Sequence, residues 1–258
     1  MHLNIVTICL DAMPFIAQHL PVFNRLNIPW HWTVIEGAAM NTHCTAWCKP
    51  QQPRLSRDGT TEYLQTLRDH PRVRTIGKQS WDGKVEMFNA ALQTFPQEEC
   101  VLMEIDVDEF WTAPQLEAIF DEFIRQPHLG RIQFACNYYV GQNIQITSSG
   151  SYGNRDCEWL RAWRWHPGAR FKTHEPPELD TQIGWAMSKR DSVSKGLVFD
   201  HYAYVLPSQV RYKEEFYGYR CALEHWLRLQ RNQKWPVIDL KKYLPWVDPG
   251  VEANLVWK

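Results

Sequence analysis

No stretch of this sequence is both long and apolar enough to cross a bilayer. Its longest apolar runs are strand-sized, against the ~20 residues a spanning helix needs. Charge of one sign is lacking too: 28 basic against 29 acidic residues give a formal net charge of −1. No overall pull toward nucleic acid or an anionic membrane is expected, although a local basic face is compatible with that balance. The opening, MHLNIVTICLDAMPF, has neither the basic start nor the small-residue cleavage site of a signal peptide. Cysteine shows no disulfide framework. The seven residues Cys9, Cys44, Cys48, Cys100, Cys136, Cys157 and Cys221 are scattered, several in apolar strand-like runs where the thiol acts as a small hydrophobe. A reduced, cytoplasmic protein is the reading these absences favour. In THCTAWC, His43, Cys44 and Cys48 are candidate zinc ligands, but no second pair at a familiar spacing follows.

What is present is the composition of an ordinary folded enzyme, 44% hydrophobic and 22% charged, long enough at 258 residues for one large domain. Thirteen tryptophans are many for this length, with three in WLRAWRW (159–165). Aromatic rings stack on sugar faces, but they also fill cores, and core is the default for any one of them.

The first half alternates strand and helix. LNIVTICL (3–10) reads as a buried strand, and Asp11 sits where a helix N-cap would, ahead of AMPFIAQHLPVFNRL with Pro21 as its expected kink. WTVIEG (32–37) and VRTIG (73–77) read as further strands, with the helix TTEYLQTLRDH between them. The amphipathic KVEMFNAALQTF then precedes a fourth strand, ECVLMEI. Beyond it the sequence predicts a helix in PQLEAIFDEFIRQ, a strand in RIQFACNYYV, and one helix-like run around RYKEEFYGYRCALEHWLRLQ. Alternation of this kind implies an open, largely parallel sheet with right-handed crossovers, whose ligands bind outside the carboxyl ends of the strands. No repeat or linker separates the halves, so a single domain with two lobes is expected.

The fourth strand runs straight into Asp106, Asp108 and Glu109. Carboxylates this close repel and cost free energy to desolvate, so a cation is expected among them. In extended chain, Asp106 and Asp108 share a face. Two carboxylates on one face at a strand end suit a hard divalent ion, Mg2+ or Mn2+, which keeps positions open for phosphate oxygens of a nucleotide diphosphate. A bare D-x-D is common by chance; its place after a buried strand is what gives it weight.

Here the chain resembles the family 2-like glycosyltransferases of the GT-A fold, a Rossmann-like α/β architecture. That fold has an open, mostly parallel central sheet, helices on both faces and a mixed C-terminal lobe. The resemblance rests on IVTICLDAMPFI, VIEG, WDGKVEMFNAAL and IDVDEF, and is sharpened by RFKTHEPPEL and FDHYAYV, similar to the His-Glu and His-x-Gly-Tyr elements of a bacterial subgroup. Ala203 stands where that subgroup has glycine, and the subgroup's helical repeats are missing. The resemblance implies a metal-dependent, inverting transfer from a nucleotide sugar, a UDP-sugar foremost, to a saccharide, peptide or other hydroxyl-bearing acceptor. It implies Glu36 and Asp82 against the nucleoside, Lys84 and Asn89 near the donor, and Asp106 and Asp108 on Mn2+ or Mg2+. His201 becomes a third metal or pyrophosphate contact, Glu175 the base, and His174 its orienting neighbour. Residues 1–110 would form the nucleotide-sugar-binding lobe and residues 111–258 the acceptor-binding lobe.

Bland readings stand beside these. Glu175 could simply pair with Arg170 or Lys172, and His201 after GLVF could be a satisfied structural histidine. Asp180, Asp200 and Glu109 compete as bases, and Lys195, Arg211 and Lys213 could clamp phosphates or merely be solvated. A nucleotidyltransferase also uses a divalent ion on an α/β sheet, but LDAMPFI lacks the Gly-rich, basic phosphate loop expected of one. A non-catalytic nucleotide-sugar-binding module, or modified bases of DNA as acceptor, are the remaining alternatives; the net charge lends the latter no support.

Overall fold

The computed structural model describes residues 1–40, 49, 51–149 and 159–256; His43, Cys44 and Cys48 lie outside the described residues. The first half builds β1 (Leu3–Cys9), α1 (Ile16–Phe23), β2 (Trp30–Ala39), α2 (Thr60–Thr66), β3 (Val73–Trp81), α3 (Lys84–Leu92) and β4 (Cys100–Glu104). Then come β5 (Glu109–Phe110), α4 (Ala113–Arg125), β6 (Leu129–Gly141), β7 (Ile144–Ile146) and β8 (Trp159–Trp165). The chain continues with β9 (Phe171–His174), β10 (Pro177–Leu179), β11 (Trp185–Met187), α5 (Lys189–Ser194) and β12 (Val198–His201). It closes with α6 (Pro207–Tyr217), α7 (Ala222–Gln230) and β13 (Ala253–Leu255).

The main sheet runs β13-β7-β6-β8-β4-β1-β2-β3. Pairs β1–β2, β2–β3 and β1–β4 are parallel. Between β4 and β6 lies β8, antiparallel to both, so β6 runs in the direction of the N-terminal strands. The class is the one that alternation implied, α/β with a mostly parallel central sheet and a mixed C-terminal part.

Strand periodicity sorts the core into two layers. Leu3, Ile5, Val101 and Met103 face the layer that holds Ile16 and Phe23 of α1, Leu64 of α2 and Phe123 of α4. Val6, Cys100 and Leu102 face the other, with Met87, Phe88 and Leu92 of α3 and Trp163 and Trp165 of β8. The run WLRAWRW is therefore in part core: Trp163 and Trp165 are buried. α4 begins where the sequence places it, with Thr112 and Gln115 closing a capping box.

Two expectations are corrected. Asp11 does not cap α1, which starts at Ile16; Asp11 stands in a turn at φ 53°. Its carboxylate is drawn instead to Arg54 and to the Arg57 N–H. The C-terminal run is two helices, because Gly218 (φ 71°) and Cys221 (φ 53°) take left-handed backbone between them.

Gly37, within β2, sits at an irregularity in its pairing to β3, at φ 139°, and Trp81 Nε1 donates to the Glu36 carbonyl at 2.9 Å. A Cβ there would lie 1.8 Å from the Lys78 carbonyl oxygen, whereas at Gly168 (φ 91°) it would meet nothing within 4 Å. Gly168→Ala should therefore cost only the left-handed penalty, roughly 1–2 kcal/mol. Gly37→Ala should cost clearly more, read as the larger drop in urea midpoint at unchanged m.

Candidate active site

The strand order reverses at β1, with β2 on one side and β4 on the other, which makes the carboxyl ends of β1 and β4 the expected ligand crevice. A cleft of about 490 Å3 lies there, bordered by the loops after both strands. Asp11, Arg54 and Arg57 line one wall, Asp106 and Asp108 another, and Lys84, Arg211 and Lys213 complete it. Its walls thus carry both signs of charge, as a site for an anion plus a cation would.

The cation inside the acidic knot is Arg161. Its side chain on β8 is 5% exposed and touches three carboxylates. It grips Glu109 through Nε and Nη2 at 2.8–3.0 Å, Asp106 Oδ2 at 3.1 Å and Glu104 Oε1 at 3.3 Å. The register explains how it gets there. Met103 pairs with Ala162, so Glu104 and Arg161 follow one step further along the two antiparallel strands. Glu104 and Glu109 are fully buried, and Asp106 keeps 30% of its side chain exposed on the cleft side. Burial pushes the Glu109 carboxyl up, to about 7, with Asp106 adding to the rise and Arg161 opposing it.

Asp108 is held separately. Gln209 Nε2 donates to its Oδ2 at 3.1 Å, and His201 Nε2 stands 3.6 Å from Oδ1. Burial alone would raise this carboxyl, but His201 and Lys213 outweigh it and bring it down to about 2. Between the two aspartates, the Val107 carbonyl faces His19 Nε2 of α1 at 3.0 Å. The ring of His19 stacks on Phe110, and burial lowers its pKa to about 4, so it donates as a neutral imidazole.

The remaining expected site residues fall in different places. Lys84, Asp106 and Asp108 line the cleft. Glu36 is 3% exposed and turned inward, accepting from the Ser56 N–H at 3.1 Å and Thr61 Oγ1 at 2.5 Å. It ties down the loop that carries Arg54 and Arg57. Asp82 is exposed in a separate groove with Glu86, Asn89 and Arg170. Asn89 hydrogen-bonds both backbone groups of Phe171, which joins α3 to β9. His201, 7% exposed, packs among Tyr138, Trp159 and Phe199 behind Asp108.

Glu175 follows β9 and pairs with Lys84 Nζ at 2.5 Å. His174 Nε2 is 3.1 Å from Glu104 Oε1, and its Nδ1 is 3.9 Å from Glu175 Oε1, too long for a hydrogen bond. Burial would raise the Glu175 carboxyl, yet His174 and Lys84 hold it well below the ordinary range. The His174 pKa is raised, Glu104 outweighing the opposite pull of burial. Of the competing bases, Asp180 binds the Arg170 N–H, Asp200 accepts from Asn137, and Glu109 is locked on Arg161. Lys195 pairs with Glu122 of α4, whereas Arg211 and Lys213 reach the cleft.

The donor set of Asp106 and Asp108 fits a hard divalent ion: two carboxylates bordering a cleft, one of them kept ionised at all ordinary pH. His201 fits less well as a third ligand. Its Nδ1 is buried with no hydrogen-bond partner among the described residues, so its proton belongs on Nε2, aimed at Asp108. Metal-bound histidines instead donate from the second nitrogen to an acceptor. Among the described residues it is Glu104, Asp106 and His174, not Asp106, Asp108 and His201, that bring ligand atoms within 4.8 Å of one another, but Arg161 already sits on Glu104 and Asp106 and would repel a second cation.

Sequence reasoning missed Arg161, His19, Gln209 and the Asp11–Arg54–Arg57 wall. Arg161 left one signal, a charged residue at an inward-facing position of an aromatic strand.

No family model and no curated protein matches the sequence. Among solved structures, the mannosyltransferase PcManGT from Pyrobaculum calidifontis, in complex with GDP-Man and Mn2+, is similar at 13% identity and a TM-score of 0.48. The match covers 94% of this chain and 67% of that one. S. aureus TarS 1-349 is similar at 13% identity and a TM-score of 0.42, over 64% of this chain and 47% of that one. A CMP:2-keto-3-deoxy-manno-octonic acid synthetase complexed with CTP gives 9% identity and a TM-score of 0.37, over 64% and 74%. This chain thus spans about half of the TarS fragment it matches. These likenesses are loose, and the chemistry of the cleft has to come from its own residues.

Two outcomes are expected. Arg161→Met leaves buried carboxylates without a counter-charge and should cost about 3–5 kcal/mol by urea denaturation. Glu175 is held below its ordinary 4.5, so it contributes stability that is complete above that pH and fades as pH falls below it. The stability gap between the wild type and Glu175→Gln should accordingly narrow from pH 7 to pH 3.

Proposed function

We propose that this chain is a glycosyltransferase of the GT-A type, taking a sugar from a nucleotide-diphosphate donor, a UDP-sugar foremost, to an acceptor hydroxyl with inversion. The observation that carries this reading is the pair Asp106 and Asp108 at the carboxyl end of β4, opening on the β1/β4 crevice beside Lys84, Arg211 and Lys213. A divalent ion, Mn2+ or Mg2+, held by those aspartates would supply Lewis-acid stabilisation of the departing diphosphate.

The chain's own residues do the rest. Arg161 and His19 fix the loop from which the aspartates project, so little reorganisation is needed when charge develops. Lys84, Arg211 and Lys213 add positive charge along the cleft for the phosphates. Glu175 takes the proton of the acceptor hydroxyl while its oxygen bonds to the anomeric carbon, and the bond from that carbon to the phosphate oxygen breaks with its electron pair leaving on the diphosphate. The first 110 residues supply the donor half, and residues 111–258 the acceptor half. Among the described residues no helix is long and apolar enough to cross a membrane.

The test is a thermal-shift series with UDP-, GDP- and CMP-sugars and CTP, each with Mn2+ or EDTA. A nucleotide sugar should stabilise the protein more with Mn2+ than with EDTA. In Asp108→Asn the Mn2+-dependent part should vanish, and turnover with that donor should fall by about 100-fold or more. Stabilisation by CTP alone, indifferent to Asp108, would contradict the reading.

A further inference from the structure

Lys84 and Glu175 are joined at 2.5 Å, but they do not share one environment. Lys84, the first residue of α3, lines the cleft, whereas Glu175 is not part of its wall. Lys84 Nζ also lies 5.5 Å from the centre of the Phe216 ring of α6. Charged and titratable groups reach this pair from each packed element. His174 comes from β9, with Glu104 of β4 behind it, and Tyr212, Lys213 and Tyr217 come from α6. As the residues stand, Lys84 neutralises Glu175 and makes it a poor proton acceptor. A diphosphate in the cleft presents Lys84 with more negative charge than a single carboxylate does, and its oxygens are good acceptors for an ammonium.

The geometry points to Lys84 as a positioning residue shared between two anions: it holds Glu175 while the cleft lacks a phosphate, and passes to the donor's diphosphate on binding. Glu175, released from Lys84, then becomes able to accept the acceptor's proton. The base is thereby armed only after the donor is in place. This rests on the reading of Glu175 as the base in the transfer described above.

Competition for one lysine has a thermodynamic signature that needs no knowledge of the acceptor. UDP binding with Mn2+ would be measured calorimetrically for the wild type, Glu175→Gln, Lys84→Met and the double variant. Removing the competitor should tighten UDP binding by about threefold or more in Glu175→Gln, and the gain should disappear in the Lys84→Met background. Lys84→Met should weaken binding, with Lys84→Arg restoring most of it. Glu175→Asp, one methylene shorter, gives the same sign where the glutamine variant folds poorly. A gain that persists without Lys84, or UDP binding equal to or weaker than wild type in Glu175→Gln, overturns the proposal while leaving the glycosyltransferase reading intact. If wild-type protein binds neither UDP nor GDP with Mn2+, that reading fails and takes the proposal with it.

Discussion

One guanidinium holds the centre of this protein together. Glu104, Asp106 and Glu109 lie within six residues of one another at the mouth of a buried strand, two of them fully buried. Without a counter-charge that arrangement would be prohibitively costly to desolvate. Arg161 supplies the charge from the neighbouring strand and, because its fork is planar and rigid, it also sets orientation. One edge takes both oxygens of Glu109, and the outer nitrogens reach Asp106 and Glu104. The inserted antiparallel strand β8 is what makes this possible, since it brings a side chain from the C-terminal half against the end of β4.

Around that clamp the two aspartates are treated differently. Asp106 is braced by Arg161 yet partly exposed, whereas Asp108 is braced by Gln209 from α6 and by His201 from β12. Tyr202 N–H donates to the Asp108 carbonyl at 2.8 Å, and β12 pairs with β5, so backbone and side chain of the D-x-D turn are fixed from the same side. His19 fixes it from the other, through Val107. The turn is thus held at each residue from Asp106 to Asp108 by a different element. Such rigidity suits the proposed site, where two like charges would face one ion without relaxing apart.

Much of the scaffold was legible in the sequence because period and punctuation are local. The four N-terminal strands, α3 and α4 follow from apolar runs and caps, and the carboxyl-end rule located the cleft. What failed was non-local or conformational. Asp11 before an apolar run looks like an N-cap, but Arg54 and Arg57, more than 40 residues away, claim its carboxylate. Glu36-Gly37 reads as a strand end, but β2 runs on to Ala39, its pairing with β3 resuming beyond the irregularity at Gly37. The split between α6 and α7 turns on left-handed backbone at Gly218 and Cys221, and a cysteine carries no such signal. Arg161 was invisible as a partner because nothing in WLRAWRW announces which strand it will lie beside.

The account stands on Asp106 and Asp108 sharing one ion while Arg161 keeps its grip on the knot. Anomalous diffraction from a crystal containing Mn2+ and UDP tests this directly. The result it requires is a manganese peak about 2.1 Å from an oxygen of each aspartate, with phosphate oxygens in its remaining positions and Arg161 still on Glu109. A peak between Glu104 and His174, or both aspartates bonded only to Arg161 and Gln209 with the nucleotide elsewhere, would contradict it.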